Sequence, residues 1–233
     1  MNYIIINGVN SNTIPGLLIQ ELPPVSKPKI RTQIDEIDGR DGDIVTRLGY
    51  SAFEKNLKIG LYGSFDINQI IKYFNASGKV TFSNESDKYY NFEILDQIDF
   101  ERLIRFRQAT VKFHCQPFKY PNTETPVIKT TGTTASITNA GNYISRPLIT
   151  ITGTGTITVS LENTQIFNIT LGDTSETIII DTAAMEAYNN SGNLKNRQVT
   201  GDYSKFVLEP GSNGISWTGS VTEIKIEKYS RWL

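Results

Sequence analysis

The chain has 233 residues, a formal net charge of −1 and a single cysteine, Cys115. Near-neutral charge leaves no global footprint for nucleic acid, and one cysteine excludes an internal disulfide framework or a cysteine zinc site. The length allows one large domain or two smaller ones, each able to bury its own core. No apolar run reaches the length of a membrane span, and Met1 to Gly8 has no basic segment of the signal-peptide kind. Synthesis in the cytoplasm is the expectation.

In chain order, Tyr3 to Ile6 reads as a short strand closed by the turn pair Asn7-Gly8. Ile14-Pro-Gly16 is a second turn, followed by an apolar run from Leu17 to Leu22. Pro23, Pro24 and Pro28 make an extended segment that cannot be a central strand. Ile30, Ile34 and Ile37 lead into Asp38-Gly-Arg-Asp-Gly42, a tight reversal with a strand expected on each side. Leu57 to Leu61 alternates as a half-buried strand. Asp66 to Asn75 is the one expected helix, with Ile67, Ile70, Ile71 and Phe74 on a single apolar face. Lys79 to Phe82 is a short strand.

Tyr89 to Leu95 and Leu103 to Phe113 read as two long strands joined near Asp96 to Glu101, a long β-hairpin. Arg105 and Arg107 then alternate with apolar residues on one sheet face. Pro117, Pro121 and Pro126 surround Asn122 to Thr125 and mark a linker. The expected domains are therefore residues 1–125 and 126–233, with the last residues packing back on the first. The second half has strands near Ser136, Pro147 to Gly153, Thr156 to Leu161, Gln165 to Leu171 and Thr177 to Asp181. Phe206 to Leu208, Gly214 to Trp217 and Thr222 to Lys228 follow. Turn signals recur about every eight to twelve residues, the rhythm of a β-sandwich. The fold class is mainly β, with an α+β first domain and a β-sandwich second domain.

The chemistry-bearing residues form no reactive set. His114 and Cys115 are neighbours on a strand, so they point to opposite faces and cannot act as base and nucleophile. Asp35, Glu36 and Asp38, and again Asp96, Asp99 and Glu101, are acids at turns rather than a glycosidase pair. Asp38 to Asp43 lacks the spacing and closing Glu of an EF-hand. No catalytic residue, cofactor or metal is assigned. Arg102, Arg105 and Arg107 are either a solvated strand face with partners such as Glu93 or one side of an ion pair between subunits. Trp217, Tyr203 and Phe206 are either core or a sugar-stacking platform. Gly39, Arg40, Asp41 and Gly42 are read as a structural turn, with Asp38 and Asp41 capping backbone amides. The rival reading makes Arg40 and Asp41 a binding pair on a free loop.

A series of short motifs resembles the distal tail protein family of long-tailed, non-contractile phages of Gram-positive hosts. Ile6-Asn-Gly8, Gly39-Arg-Asp-Gly42 and Phe113-His-Cys-Gln-Pro-Phe118 match the family's first domain. Asn139-Ala-Gly-Asn142, Ser145-Arg-Pro147, Pro210-Gly-Ser-Asn213 and Ser230-Arg-Trp-Leu233 match its second. The resemblance implies a β-sandwich-like first domain that builds a homohexameric ring and a galectin-like, jelly-roll second domain. It implies a virion structural protein at the distal end of the tail, part of the tail tip or baseplate. Its neighbours would be the tail-tube protein, a tail-tip lysin or spike protein and receptor-binding protein. DNA would pass through the lumen without sequence-specific contact, and no membrane is involved. The alternative is a carbohydrate-binding, lectin-like module for the host cell wall.

Overall fold

A computed structural model describes every residue from Met1 to Leu233. The chain divides into two compact units, Met1–Asn122 with Leu233, and Thr123–Trp232. Both are mainly β, as the sequence indicates, and the helices are short.

The first unit contains β1 (Ile4–Ile6), β2 (Val9–Asn10), β3 (Leu17–Glu21), β4 (Ile30–Glu36), β5 (Asp43–Tyr50), β6 (Phe53–Leu61), α1 (Ile67–Phe74), β7 (Ser77–Phe82), β8 (Lys88–Glu93), α2 (Phe100–Phe106) and β9 (Gln108–Pro121). Seven of the strands make one antiparallel sheet in the order β2-β1-β7-β8-β9-β6-β3. Alternation along β9 puts Ala109, Val111, Phe113 and Cys115 in the core while the residues between them face outward. That is the pleat expected of a sheet with one covered face. Phe82, Phe92 and Phe113 fill the centre with tilted and edge-on ring contacts at 5.1 and 5.6 Å.

Helix α1 starts where Asp66 accepts a hydrogen bond from the Asn68 amide at 2.9 Å, the ordinary N-cap arrangement. Its buried side chains are Ile70, Tyr73 and Phe74, and Ile71 faces solvent. The expected apolar stripe is therefore rotated by part of a turn. Tyr73 supplies the reason, because its hydroxyl donates towards the carbonyls of Ile4 and Val9, each at 3.2 Å.

Of the long hairpin expected over Tyr89 to Phe113, the antiparallel pairing of β8 with β9 is present, but not as one continuous hairpin. Between β8 and β9 the chain forms α2, so Arg105 is helical and Arg107 lies just past the helix end with a left-handed φ of 58°. Asp99 accepts from the Arg102 amide at 2.8 Å, and Glu101 pairs with Arg105 one turn later at 2.9 Å. These N-terminal capping and i,i+4 interactions favour helix over strand. The long two-stranded hairpin of this unit lies instead at β4–β5. The sheet's β9 also runs through Pro117 to Pro121, further than the linker reading placed it. Its pairing with β8 shifts register between Tyr90 and Phe92, and Pro117 sits within the skipped stretch, where no ladder donor is missed.

The second unit contains β10 (Val127–Lys129), β11 (Thr134–Asn139), β12 (Leu148–Leu161), β13 (Thr164–Thr170), β14 (Glu176–Asp181), β15 (Glu186–Tyr188), β16 (Val199–Gly201) and β17 (Gly211–Glu227). Strands β12 and β17 are antiparallel partners along most of their length. Each was expected as two strands with a turn between. Each is one strand whose pairing slips beside Gly155 (φ +68°) and Gly219 (φ +92°). Glycine permits such bends, and the bends hand each strand from one set of neighbours to another. The first half of β12 pairs with β14 and its second half with β13. Ile149, Ile151, Ile157, Val159, Phe167, Ile178, Ile180 and Trp217 meet in the resulting core.

Candidate functional site

Ribbon β4–β5 is a two-stranded sheet on its own. Its base is fixed by a hydrogen bond from the Ser51 amide to the Lys29 carbonyl at 2.8 Å and by the edge contact of Tyr50 with Phe118. Beyond that base every residue from Arg31 to Gly49 is exposed. Ile34 and Val45 are cross-strand partners, each 56% exposed, and Ile37, Ile44 and Leu48 also lie open to solvent. An isolated two-stranded ribbon is marginal in water, and its exposed apolar residues would gain by being covered.

The tip of the ribbon holds Gly39, Arg40, Asp41 and Gly42. The Arg40 amide donates to the Ile37 carbonyl at 3.1 Å, with Gly39 at φ +81° and Gly42 at φ +76°. A positive φ at the third position is what a type II turn requires. Neither Asp38 nor Asp41 caps an amide. The backbone closes the turn by itself, so both carboxylates stay in solvent. Asp35, Glu36, Asp38, Asp41 and Asp43 crowd this end against Arg40 alone. Glu36 and Asp43 lie directly opposite each other, an arrangement that disfavours the isolated ribbon.

The lead into the ribbon is held from below. The buried Lys55 ammonium donates to the Pro24 carbonyl at 2.9 Å and lies 4.8 Å from the Tyr90 ring centre. Asn84 donates to the Pro23 carbonyl at 2.9 Å. Burial pulls the Lys55 pKa below its usual value, and the Glu85 carboxylate opposes that shift. Glu85 itself accepts from Lys119 and from the Tyr90 hydroxyl, both at 2.8 Å.

Arg102, Arg105 and Phe106 lie on the solvent side of α2, around a shallow recess that Asp99 and Glu101 complete. Phe106 is 70% exposed. The Arg107 guanidinium stacks on the Phe65 ring at 4.8 Å and is turned to a structural role. Glu93 pairs across strands with His114 and Ser77, not with an arginine. The strand expected for these arginines is a helix: Arg102 and Arg105 lie on α2, and Arg107 lies just past its end. Phe106, its exposed neighbour, carried no signal beyond the Asp99 cap and the Glu101–Arg105 spacing.

Other candidates are consumed by the fold. Cys115 is buried, and burial pushes its thiol up to about 12. His114, on the other face of β9, is only half-buried. Asp96 pairs with Lys112 at 2.9 Å. Trp217 and Phe206 are core residues and Tyr203 packs edge-on against Phe167, so no aromatic platform forms there. The motifs of the second half make a structural knot. Asn139 donates to the carbonyls of Tyr143 and Leu208 at 3.0 Å, and Asn213 to those of Glu209 and Gly211 at 2.9 and 3.0 Å. The Ala140 amide donates to the Ser230 hydroxyl at 3.2 Å.

Fold and surface together define a two-unit β protein whose distinctive features are an unpartnered ribbon and an exposed helix face, not a reactive cleft. No protein-family model matches the sequence, and no curated protein matches it. Among solved structures, the chain is similar to Dit (gp 19.1) of SPP1, described as a paradigm of the hub adsorption apparatus in phages that infect Gram-positive bacteria. The two superpose with a TM-score of 0.73 over 98% of this chain and 99% of that one, at 18% sequence identity. The likeness is therefore one of fold, and it spans both units.

Proposed function

We propose that this chain is a structural protein of a phage tail hub. In this reading six copies form a ring at the distal end of a non-contractile tail. The ring joins the tail tube to the tail-tip and host-adsorption apparatus, and the first unit supplies the contacts between copies. The observation that carries the reading is the end-to-end match to the SPP1 hub protein, which leaves neither unit unaccounted for. The ribbon supports it independently, since an exposed apolar hairpin is a liability on a monomer and an asset in an assembly. A closed ring uses head-to-tail contacts, so each copy must offer two different surfaces. Tail-tube protein, a lysin or spike protein and receptor-binding protein are the partners of this reading, and DNA passes through the lumen.

The test is solution mass by light scattering together with electron-microscopic class averages. The expected species has six times the 26.1 kDa chain mass and six-fold averages with an open centre. A strictly monomeric protein that is also absent from purified virions would overturn the proposal.

A further inference from the structure

We infer that the tip-proximal face of ribbon β4–β5 docks on the α2 face of a second copy of this chain. The inference rests on the ring reading and assigns the two surfaces that such a ring needs.

Cross-strand partners share a face of a ribbon, and so do residues two apart on one strand. Ile34 opposite Val45 and Glu36 opposite Asp43 therefore form one continuous surface, apolar then acidic. Arg102, Arg105 and Phe106 follow the i, i+3, i+4 spacing of one helix face, apolar and then basic, while Asp99 at the recess rim is engaged by the Arg102 amide and Glu101 by Arg105. The two surfaces match in both respects. The apolar pair of the ribbon has Phe106 to cover, and the opposed carboxylates have two guanidiniums to neutralise them.

Each surface is also incomplete alone. Glu36 and Asp43 have no ion-pair partner, and Arg102 has none either. Arg105 holds only Glu101, with both side chains at least 70% exposed, a pairing of the kind that contributes little. Arginine suits the role because its planar fork can meet a carboxylate with two donors. The apolar groove beside α1, lined by Ile6, Val9, Ile14 and Tyr73, offers only the Lys72 ammonium and would leave the acidic pair of the ribbon unmatched.

Charge reversal in trans tests the contact. One protein carries Glu36→Lys with Asp43→Lys, and a second carries Arg102→Glu with Arg105→Glu. All four positions are exposed, so circular dichroism should show both folded. Each alone should fall to the mass of the single 26.1 kDa chain under conditions where the unmodified protein is assembled. Mixed in equal amounts, they should regain the assembled mass, because each ribbon then finds an α2 of opposite charge on the other protein. Added salt should weaken the assembly by screening.

A Val45→Cys, Phe106→Cys protein supplies a second readout. Cys115 is buried, so oxidation should give a ladder of covalently joined chains on a denaturing gel. If the unmodified protein assembles while both reversed proteins assemble equally well, the ribbon–α2 contact is wrong and the ring stands. Recovery failing on mixing, or disulfides forming only within single chains, overturns it too. If the unmodified protein never assembles and is also absent from purified virions, the ring reading falls and takes this contact with it; if it assembles only in virions, the same cysteine pair is oxidised there, and a missing ladder overturns the contact alone.

Discussion

The two units solve the same burial problem with different results. In the second, the apolar side chains of β12, β13, β14 and β17 are gathered inside, and the large hydrophobics left exposed are Ile128, Met185, Leu194 and Tyr229. In the first, an equally dry core coexists with an outer set that includes Ile34, Ile37, Ile44, Val45 and Leu48 on the ribbon and Ile104 and Phe106 on α2. Composition does not account for the contrast, since both units are rich in β-branched residues. The difference is where the chain leaves its apolar surface, and it teaches that in the first unit the residues that build the core and the apolar residues left open on the ribbon lie in separate stretches.

That separation can be broken or sharpened by substitution. The largest effect is expected at Phe113, fully buried between Phe82 and Phe92. Phe113→Ala should cost about 3–5 kcal/mol of folding stability, read as a lower denaturant midpoint. Val45→Ser, by contrast, should stay within about 0.5 kcal/mol for folding while removing the assembled species. Equal losses of folding stability from the two changes would erase the distinction.

Next comes Gly219→Ala. At φ +92° an added Cβ would land on the Thr156 carbonyl, so strain and collision together should cost about 2–3 kcal/mol. Hydrogen exchange should show the loss confined to the second unit. Gly42→Val at the ribbon tip has φ +76° but open space around it. Strain alone should cost about 1 kcal/mol, local to the ribbon, with assembly suffering more than the melting temperature. Unchanged melting and unchanged mass would sink the structural reading of this turn.

The smallest effect at neutral pH is electrostatic. Cys115 has a usual thiol value of 9.0 and is raised to about 12 by burial, against the pull of Lys55. A group raised on folding stabilises fully below its unfolded value and ceases to do so as pH climbs towards its folded one. Folding stability should therefore decline from about pH 9 upward. The buried Tyr73 and Tyr90 hydroxyls, also raised by burial, add to the fall. Lys55, lowered by burial, works in the opposite sense. Cys115→Ala should flatten the early part of the decline in a series of denaturation curves at rising pH. An unaltered slope would show that the thiol is not the group titrating there.

Much of this fold is legible in the sequence wherever local rules act alone. Asn7-Gly8 closes β1 onto β2 with both residues at positive φ, as that dipeptide prescribes. Asp66 starts α1, and Gly39 to Gly42 turns the ribbon. Legibility fails where a local pattern has two solutions. Leu103 to Arg107 alternates like a strand, yet the Asp99 cap and the Glu101–Arg105 pair make it a helix. Gly155 and Gly219 look like turns because glycine permits both a turn and a bulge. The choice belongs to the neighbours that β12 and β17 acquire. Ile34 and Val45 read as ordinary strand residues, and only the tertiary structure reveals that nothing in their own chain covers them.

The pairing of β10 with the end of β17 has a consequence for how such a protein can change. Val127 lies opposite Ile226, and the Glu124 carboxylate accepts from the Ser230 amide at 3.1 Å. The first and last strands of the second unit thus lie side by side on one edge. A unit tied off in this way behaves as a cassette. Residues added between β11 and β17 would leave that shared edge as it is. Changes confined to the second unit would then leave the sequence of the ribbon and of α2 untouched.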